Sequence, residues 1–223
     1  MEFRHEIKHE ITPSDRLDLS MRLGHVMKRD EHGVNGRYVI RSLYFDTLDD
    51  TALMEKIDGV NRREKFRIRM YDGNTGFLRL EVKRKVNGLT SKESALITKE
   101  ETERILKGDT AWMKAHENDL ISDLYRKMEF EGLRPRTIVE YTREAFVYEA
   151  GNVRVTLDYD IRSGVTGTDF LNENAVTVPV WENRILLEVK WDGFLPDIIR
   201  DLIHIDGRRG HAFSKYAQAR IYG

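Results

Sequence analysis

The chain has 223 residues, 40% of them apolar and 34% charged, enough for one large domain or two small ones with a sizeable core. Its 37 lysines and arginines against 38 aspartates and glutamates leave a net charge of −1, so bulk attraction to nucleic acid or anionic lipid is excluded, and any anion site must come from local sorting of charge. There is no cysteine, hence no disulfide scaffold and no thiolate metal site. No apolar run approaches the roughly 18 residues of a membrane span, and MEFRHEIKHEI lacks the apolar stretch of a signal peptide, so a soluble cytoplasmic protein is expected.

Phe3–Ile11 alternates like a strand. Thr12-Pro13-Ser14-Asp15 is a helix start, and Leu17, Met21, Leu23, His25 and Val26 suit a helix over 14–29. Asn35-Gly36 marks a turn, Arg37–Asp46 a strand, and Leu48–Lys56 a short helix. Glu64–Tyr71 and Phe77–Val86 flank a five-residue, glycine-containing loop and predict a hairpin, with Asn87-Gly88 as the next turn. Thr98 opens a helix to about Lys107, and Trp112–Gly132 continues as helix, with Leu120, Ile121, Leu124, Tyr125 and Met128 on its apolar face. Strands resume at Arg136–Glu149, Asn152–Ser163 and Arg184–Trp191. Pro196 opens a helix to about Ile205, and Phe213–Tyr222 is helical. No linker divides the chain, and no repeat of 20–50 residues appears.

The charge is sorted by face. In EKFRIRMY, Phe66, Ile68 and Met70 oppose Lys65, Arg67, Arg69 and Tyr71; in LRLEVKRK, Leu78, Leu80 and Val82 oppose Arg79, Glu81, Lys83 and Lys85. The same alternation sets Arg4, Glu6, Lys8 and Glu10 against His5, Ile7, His9 and Ile11, and Glu188 and Lys190 against Leu187, Val189 and Trp191. Arg154, Thr156 and Asp158 oppose Val153, Val155 and Leu157, while Tyr141 and Arg143 lie together. Two readings stand. One is an antiparallel sheet with a wet face and a buried face. The other is a closed or nearly closed barrel with a charged, wet interior and an apolar outside covered by the helices at 14–29, 99–131 and 197–205. A lumen of arginine and lysine needs a multivalent anion, and guanidinium forks match phosphate oxygens. Interleaved glutamates balance the cations or hold Mg²⁺ or Mn²⁺, which favour oxygen ligands.

The segments EIKHE, SLYFDT, KFRIRMY, LEVKRK with Lys92, YTREAF, VRVTLD, LLEVK and FSKY, in that order from about Phe3 to Tyr222, resemble the VTC (vacuolar transporter chaperone) polyphosphate polymerase domain of the triphosphate tunnel metalloenzyme, or CYTH-like, superfamily. The resemblance implies an α+β fold, an antiparallel β-barrel forming a triphosphate tunnel with covering helices, as a single domain over 1–223 with a helical insertion at about 98–132. It implies an enzyme that transfers the terminal phosphoryl group of ATP to a growing polyphosphate chain. Lys8 resembles the family's first-strand phosphate lysine, Arg67 and Arg69 its paired arginines, and Lys83 and Lys92 its next two lysines. Tyr141 and Arg143 match its Tyr-x-Arg contacts, Arg154 a further phosphate arginine, and Ser214-Lys215 the C-terminal phosphate contact. Lys56 stands where the family has an arginine. Glu188 matches the metal-binding glutamate for Mn²⁺ or Mg²⁺. Glu81 and Asp158 are placed beside it as metal ligands or as salt-bridge partners, and Lys190 as a phosphate contact or a solvated strand lysine.

Arg67, Arg69, Lys83, Arg143 and Lys215 are thereby expected to carry transition-state charge, and Lys8, Lys56, Lys92, Tyr141, Arg154, Lys190 and Ser214 to bind substrate. The expected partners are ATP and inorganic polyphosphate. A metal-dependent triphosphatase and a non-catalytic polyphosphate-binding module remain as alternatives, because the same side chains would serve both. Asp46 in YFDT reads as a cap or turn residue. No P-loop, Gly-x-Gly-x-x-Gly, His-Glu-x-x-His or Gly-x-Ser-x-Gly motif is present.

Overall fold

The computed structural model describes residues 5–87, 89–205, 210 and 213–222. Phe3 and Arg4, expected in the first strand, and Gly88, expected in a turn, lie outside them. In chain order the elements are β1 (His5–Ile11), α1 (Pro13–Val26), β2 (Lys28–Arg29), β3 (Arg37–Asp46), α2 (Thr51–Ile57), β4 (Arg62–Tyr71), β5 (Leu78–Val86), β6 (Leu89–Ile97), α3 (Lys99–Leu106), α4 (Asp119–Phe130), β7 (Arg134–Tyr148), β8 (Val153–Ser163), β9 (Val178–Pro179), β10 (Ile185–Trp191), α5 (Asp197–Ile203) and α6 (Lys215–Tyr222). The α+β class and the antiparallel sheet with helices packed on it agree with the sequence reading. Among the described residues no helix is long and apolar enough to cross a membrane.

The chain divides into two compact units. The first holds Met1–Val39, Tyr141–Ile161 and Trp181–Ser214; the second holds Ile40–Glu140, Arg162–Val180 and Lys215–Gly223. In the first, strands run in the order β1-β10-β8-β7, and β2 also pairs with β7. Ile11, Val153, Val155, Leu157, Leu187 and Val189 form the buried side of this sheet and pack against Leu19 and Leu23 of α1 and Ile199 and Ile203 of α5. α1 begins on a capping box, in which Thr12 Oγ1 accepts from Asp15 N and Asp15 Oδ2 accepts from Thr12 N, with Pro13 in the first turn. It ends at Val26 rather than Arg29, because Lys28 and Arg29 pair with Val147 and Phe146 as β2. Its buried side is Leu19 and Leu23, while Leu17 and Met21 are exposed. Under α1 the fully buried Glu144 accepts from Ser20 Oγ at 2.6 Å and faces Arg29 and Arg37. Burial would raise its pKa, but these hydrogen bonds and cations lower it.

In the second unit the order is β7-β3-β4-β5-β6. Phe66, Ile68, Leu80, Val82, Ala95 and Ile97 on the sheet pack against Ile105 of α3 and Leu120, Ile121, Leu124 and Met128 of α4. α3 carries the predicted capping box between Thr98 and Glu101. The helix expected over Trp112–Gly132 is broken: a 3-10 turn covers Ala111–Met113, and α4 restarts at Asn118, whose side chain accepts from Leu120 N at 3.0 Å. β6 has no counterpart in the sequence reading. Its buried residues are only Ala95 and Ile97, while Leu89 and Leu96 are exposed, so the period of two is masked.

Asp46 joins three elements of this unit. At the end of β3 its carboxylate accepts from Thr47 N and Ala52 N, both at 2.8 Å, and from Leu53 N at 3.1 Å, and the Tyr216 hydroxyl of α6 donates to it. This is the capping role read from YFDT. Asp46→Ala strands buried donors and is expected to destabilise the protein by about 2–4 kcal/mol in chemical denaturation. A loss below about 1 kcal/mol would show that water replaces the carboxylate.

Candidate functional site

Cross-strand register sorts the cations of the second unit into rows. Tyr44, Arg67, Glu81 and Ser94 lie directly opposite one another across β3, β4, β5 and β6. On one side of this row stand Lys65, Lys83 and Lys92; on the other, Ser42, Arg69, Arg79 and Leu96. Partners in register share a face, so Lys65, Arg67, Arg69, Arg79, Lys83 and Lys92 surround the single carboxylate of Glu81. Four of the expected site residues, Arg67, Arg69, Lys83 and Lys92, thus meet around a fifth, Glu81.

Glu81 is 2% exposed. Its Oε2 accepts from Arg67 Nε at 2.7 Å and lies 2.6 Å from Arg67 Nη2 and 3.8 Å from Arg69 Nη1; its Oε1 lies 2.5 Å from Lys92 Nζ. Burial would raise its pKa, but Arg67, Arg69 and Lys92 outweigh that and hold it at about 2. The remaining Nη1 of Arg67 donates to the Tyr44 hydroxyl at 2.9 Å. Tyr44 is buried, which alone would raise its pKa, yet the charges of Arg67, Lys65 and Arg69 bring it down to about 7. Lys65 sits 5.5 Å from the Tyr44 ring centre and 5.6 Å from that of Tyr216, and burial lowers its pKa to about 8. The charge of Lys56 on α2 contributes to that fall, so this residue lies within electrostatic reach of the rows. Lys215 opens α6, next to Tyr216, whose ring lies tilted against that of Tyr44, 5.0 Å between centres.

The first unit carries its own polar face. Lys8 lies opposite Glu188 and Glu188 opposite Thr156; Glu6 lies opposite Lys190 and Lys190 opposite Arg154; Leu186 lies opposite Asp158. Lys190 Nζ is 2.5 Å from Glu188 and 3.5 Å from Glu6, and Lys8 Nζ is 4.0 Å from Glu188 and paired with Glu6. Arg143 donates two parallel bonds, Nε at 2.6 Å and Nη2 at 2.7 Å, to the fully buried Asp158. Burial would lower the Arg143 pKa, but Asp158 raises it well above the ordinary value. Its guanidinium lies 5.5 Å from the Tyr141 ring centre. Arg154 donates to the Tyr38 hydroxyl at 2.9 Å and pairs with Asp30. Ser214 is half-buried at the C-terminal limit of this unit.

Three carboxylates were expected near a metal, and their surroundings differ. Glu81 is enclosed by Arg67, Arg69 and Lys92, and Asp158 is engaged by Arg143 through both oxygens. Glu188 has a second carboxylate, Glu6, beside it, both held by two mobile ammonium groups. Among the described residues no group of three or more His, Asp or Glu could form a protein-only metal cage. Glu188 and Glu6 share Lys8 and Lys190, and their carboxylate oxygens are of the donor type that a hard divalent ion takes. Tyr44, Tyr38 and Asp30 belong to these faces and were missed as site residues. Their arginine partners are 23 to 124 positions away, and only strand register brings them together.

The VTC domain family model matches residues 3–222. No curated protein matches the chain. Among solved structures, a candidate adenylate cyclase from Bacillus halodurans is 14% identical over 85% of this chain and 80% of its own, with a TM-score of 0.49. A Pyrococcus horikoshii protein is 11% identical over 96% and 94%, with a TM-score of 0.47, and a conserved hypothetical protein from Pyrococcus furiosus is 13% identical over 90% and 85%, with a TM-score of 0.46. The family match runs through every strand and helix described above, and the chain belongs to the VTC domain family.

Proposed function

We propose that the protein is a phosphoryl-transfer enzyme that moves the terminal phosphoryl group of ATP onto the end of an inorganic polyphosphate chain. Family membership supports the coarser reading, a polyphosphate- or triphosphate-binding tunnel protein. The observation that carries the reading further is the row Lys65–Lys83–Lys92 beside the pair Arg69–Arg79: cations set directly opposite cations. Like charges in register destabilise a sheet, so such rows serve a polyanion rather than the fold.

Arg67 and Arg69, oriented by Glu81, hold phosphate oxygens, and Lys83 and Lys92 neutralise charge as the bond between the terminal phosphorus and its bridging oxygen breaks. ADP leaves with that oxygen, and an oxygen of the chain end forms the new P–O bond. On the face of the first unit, Lys8, Lys190, Arg143 and Arg154 take the same kind of contact, with Tyr141 beside Arg143. Lys56, Ser214 and Lys215 complete the phosphate-binding set. Glu188 with Glu6 would hold a divalent ion, Mn²⁺ or Mg²⁺, whose charge would offset that of the phosphates. Glu81 and Asp158 anchor arginines in this reading.

An ionised chain end needs no base to act as nucleophile, and the charges of Arg67, Arg69 and Lys92 make Glu81 a poor base.

Arg67→Ala and Glu188→Gln are each expected to lower ATP-dependent polyphosphate formation by roughly 30- to 1,000-fold, equivalent to about 2–4 kcal/mol of transition-state stabilisation. The assay is a polyphosphate gel with ADP measured in parallel. ADP with long chains from the wild type supports the polymerase. Phosphate or pyrophosphate without chains means a triphosphatase, and tight binding without turnover means a binding module.

Affinity should also depend on pH. Ionisation of Tyr44 near 7 adds a negative charge to the face, and deprotonation of Lys65 near 8 removes a positive one. Both weaken anion binding as pH rises. Tripolyphosphate affinity should therefore fall between about pH 6.5 and 8.5, and Tyr44→Phe should flatten the lower half of that fall. Superimposable pH profiles for the two proteins would remove Tyr44 from the account.

A further inference from the structure

The row Arg69–Arg79–Leu96 departs from the charged pattern at its last position. Leu96 lies opposite Arg79, on the cationic face, and is 63% exposed. Two residues before Arg79, Phe77 is 39% exposed, and its ring lies 4.8 Å below the Arg79 guanidinium. Tyr71, two residues after Arg69, sits 6.4 Å from Phe77 between ring centres, with the Arg69 guanidinium 5.9 Å over it. Phe77 and Leu96 also line a groove of about 500 Å³ that continues to Thr75 and Thr98. The cationic face of the second unit thus ends in an apolar shelf flanked by two arginines that stack on rings.

Phosphate has no use for such a shelf. An inorganic chain is anionic along its length, and Phe77 and Leu96 offer it neither charge nor a donor. A nucleobase has two flat π-faces, which aromatic rings and guanidinium planes accept with little dependence on base identity. The row of Arg67 and Glu81 stands one two-residue step from that of Arg79 and Leu96, roughly 7 Å along the strand. Phosphates on the first row would leave the rest of a nucleotide beside the second. We propose that Phe77, Arg79 and Leu96 form the platform for the base of a nucleoside triphosphate whose phosphates lie on Arg67 and Arg69. The inference rests on the phosphate-binding reading above and adds to it the means by which this face tells a nucleoside triphosphate from an inorganic one.

The test compares two ligands on the full chain by calorimetry at one ionic strength, ATP and inorganic tripolyphosphate. Phe77→Ala is expected to weaken ATP binding about tenfold and Leu96→Ser about threefold, with tripolyphosphate affinity changed by less than twofold in both. Leu96 is exposed, so its variant guards against a misfolded Phe77→Ala. Unchanged ATP affinity in both variants, with tripolyphosphate still bound, would overturn the platform and leave the phosphate-binding reading standing. Equal weakening of both ligands would overturn it too, because the effect would then not belong to the base. A wild-type protein that binds neither ligand would remove the phosphate-binding reading and the platform with it.

Discussion

The second unit depends on a buried carboxylate that is outnumbered. Glu81 is nearly inaccessible, and it makes close contacts with Arg67, Arg69 and Lys92 while Lys65, Lys83 and Arg79 surround that group in register. Without it, six cations across β4, β5 and β6 would repel one another on a partly dry surface. A buried ion pair gains little net stability, because desolvation cancels most of the attraction. What Glu81 supplies is orientation: it fixes the Arg67 guanidinium in place.

The same device recurs in the first unit. Arg143 is fixed by both oxygens of the buried Asp158 and stands beside the Tyr141 ring. Arg154 is paired with the buried Asp30 and bonded to the Tyr38 hydroxyl. Arg67 has Glu81 and the Tyr44 hydroxyl. Each of the three arginines therefore has one carboxylate and one tyrosine. The carboxylate takes part of the guanidinium fork, and the tyrosine limits its swing. Donors left over in a five-donor fork are then aimed rather than mobile. Glu188 is built differently. Its neighbours Lys8 and Lys190 are point charges on flexible stems that a ligand can draw away. Glu81 and Asp158 are held by guanidinium forks, whereas Glu188 is held by ammonium groups alone.

Much of this was legible in the sequence, and what was not has physical causes. Strict alternation in KFRIRMY and LRLEVKRK put Lys65, Arg67 and Arg69 of β4 and Arg79, Glu81, Lys83 and Lys85 of β5 opposite the apolar residues of their strands, since a strand has a period of two. Thr12 with Asp15, Thr98 with Glu101, and Asp46 announced their caps through local spacing. Alternation cannot say which residue faces which across strands, so Tyr44, Tyr38 and Asp30 stayed hidden, and Glu81 and Asp158 were left open between metal contact and salt bridge. The length of α1 was overestimated because Lys28 and Arg29 are as acceptable in a helix as in β2, and pairing with β7 decided the matter. The sequence reading of α1 did not name Leu19: Leu17, Leu19, Met21 and Leu23 offer two apolar stripes, and contact with the sheet selects Leu19 and Leu23.

β6 was lost because its pattern is irregular. Its apolar residues do not keep one phase: Ala95 and Ile97 point into the core, and Leu96 between them points out among the cations. A strand selected only for folding would place a polar residue there, and the reading that relied on period two failed at that point. Natural sequences break their own pattern mostly where a side chain answers to something other than the core. Exposed leucines are common on protein surfaces and carry no meaning singly. Leu96 is not single. It opens onto the same groove as the exposed Phe77, and Arg79, its partner in register, stacks on that ring. The position that defeated pattern reading is therefore the one at which the face changes its chemistry, from charged side chains to an apolar shelf.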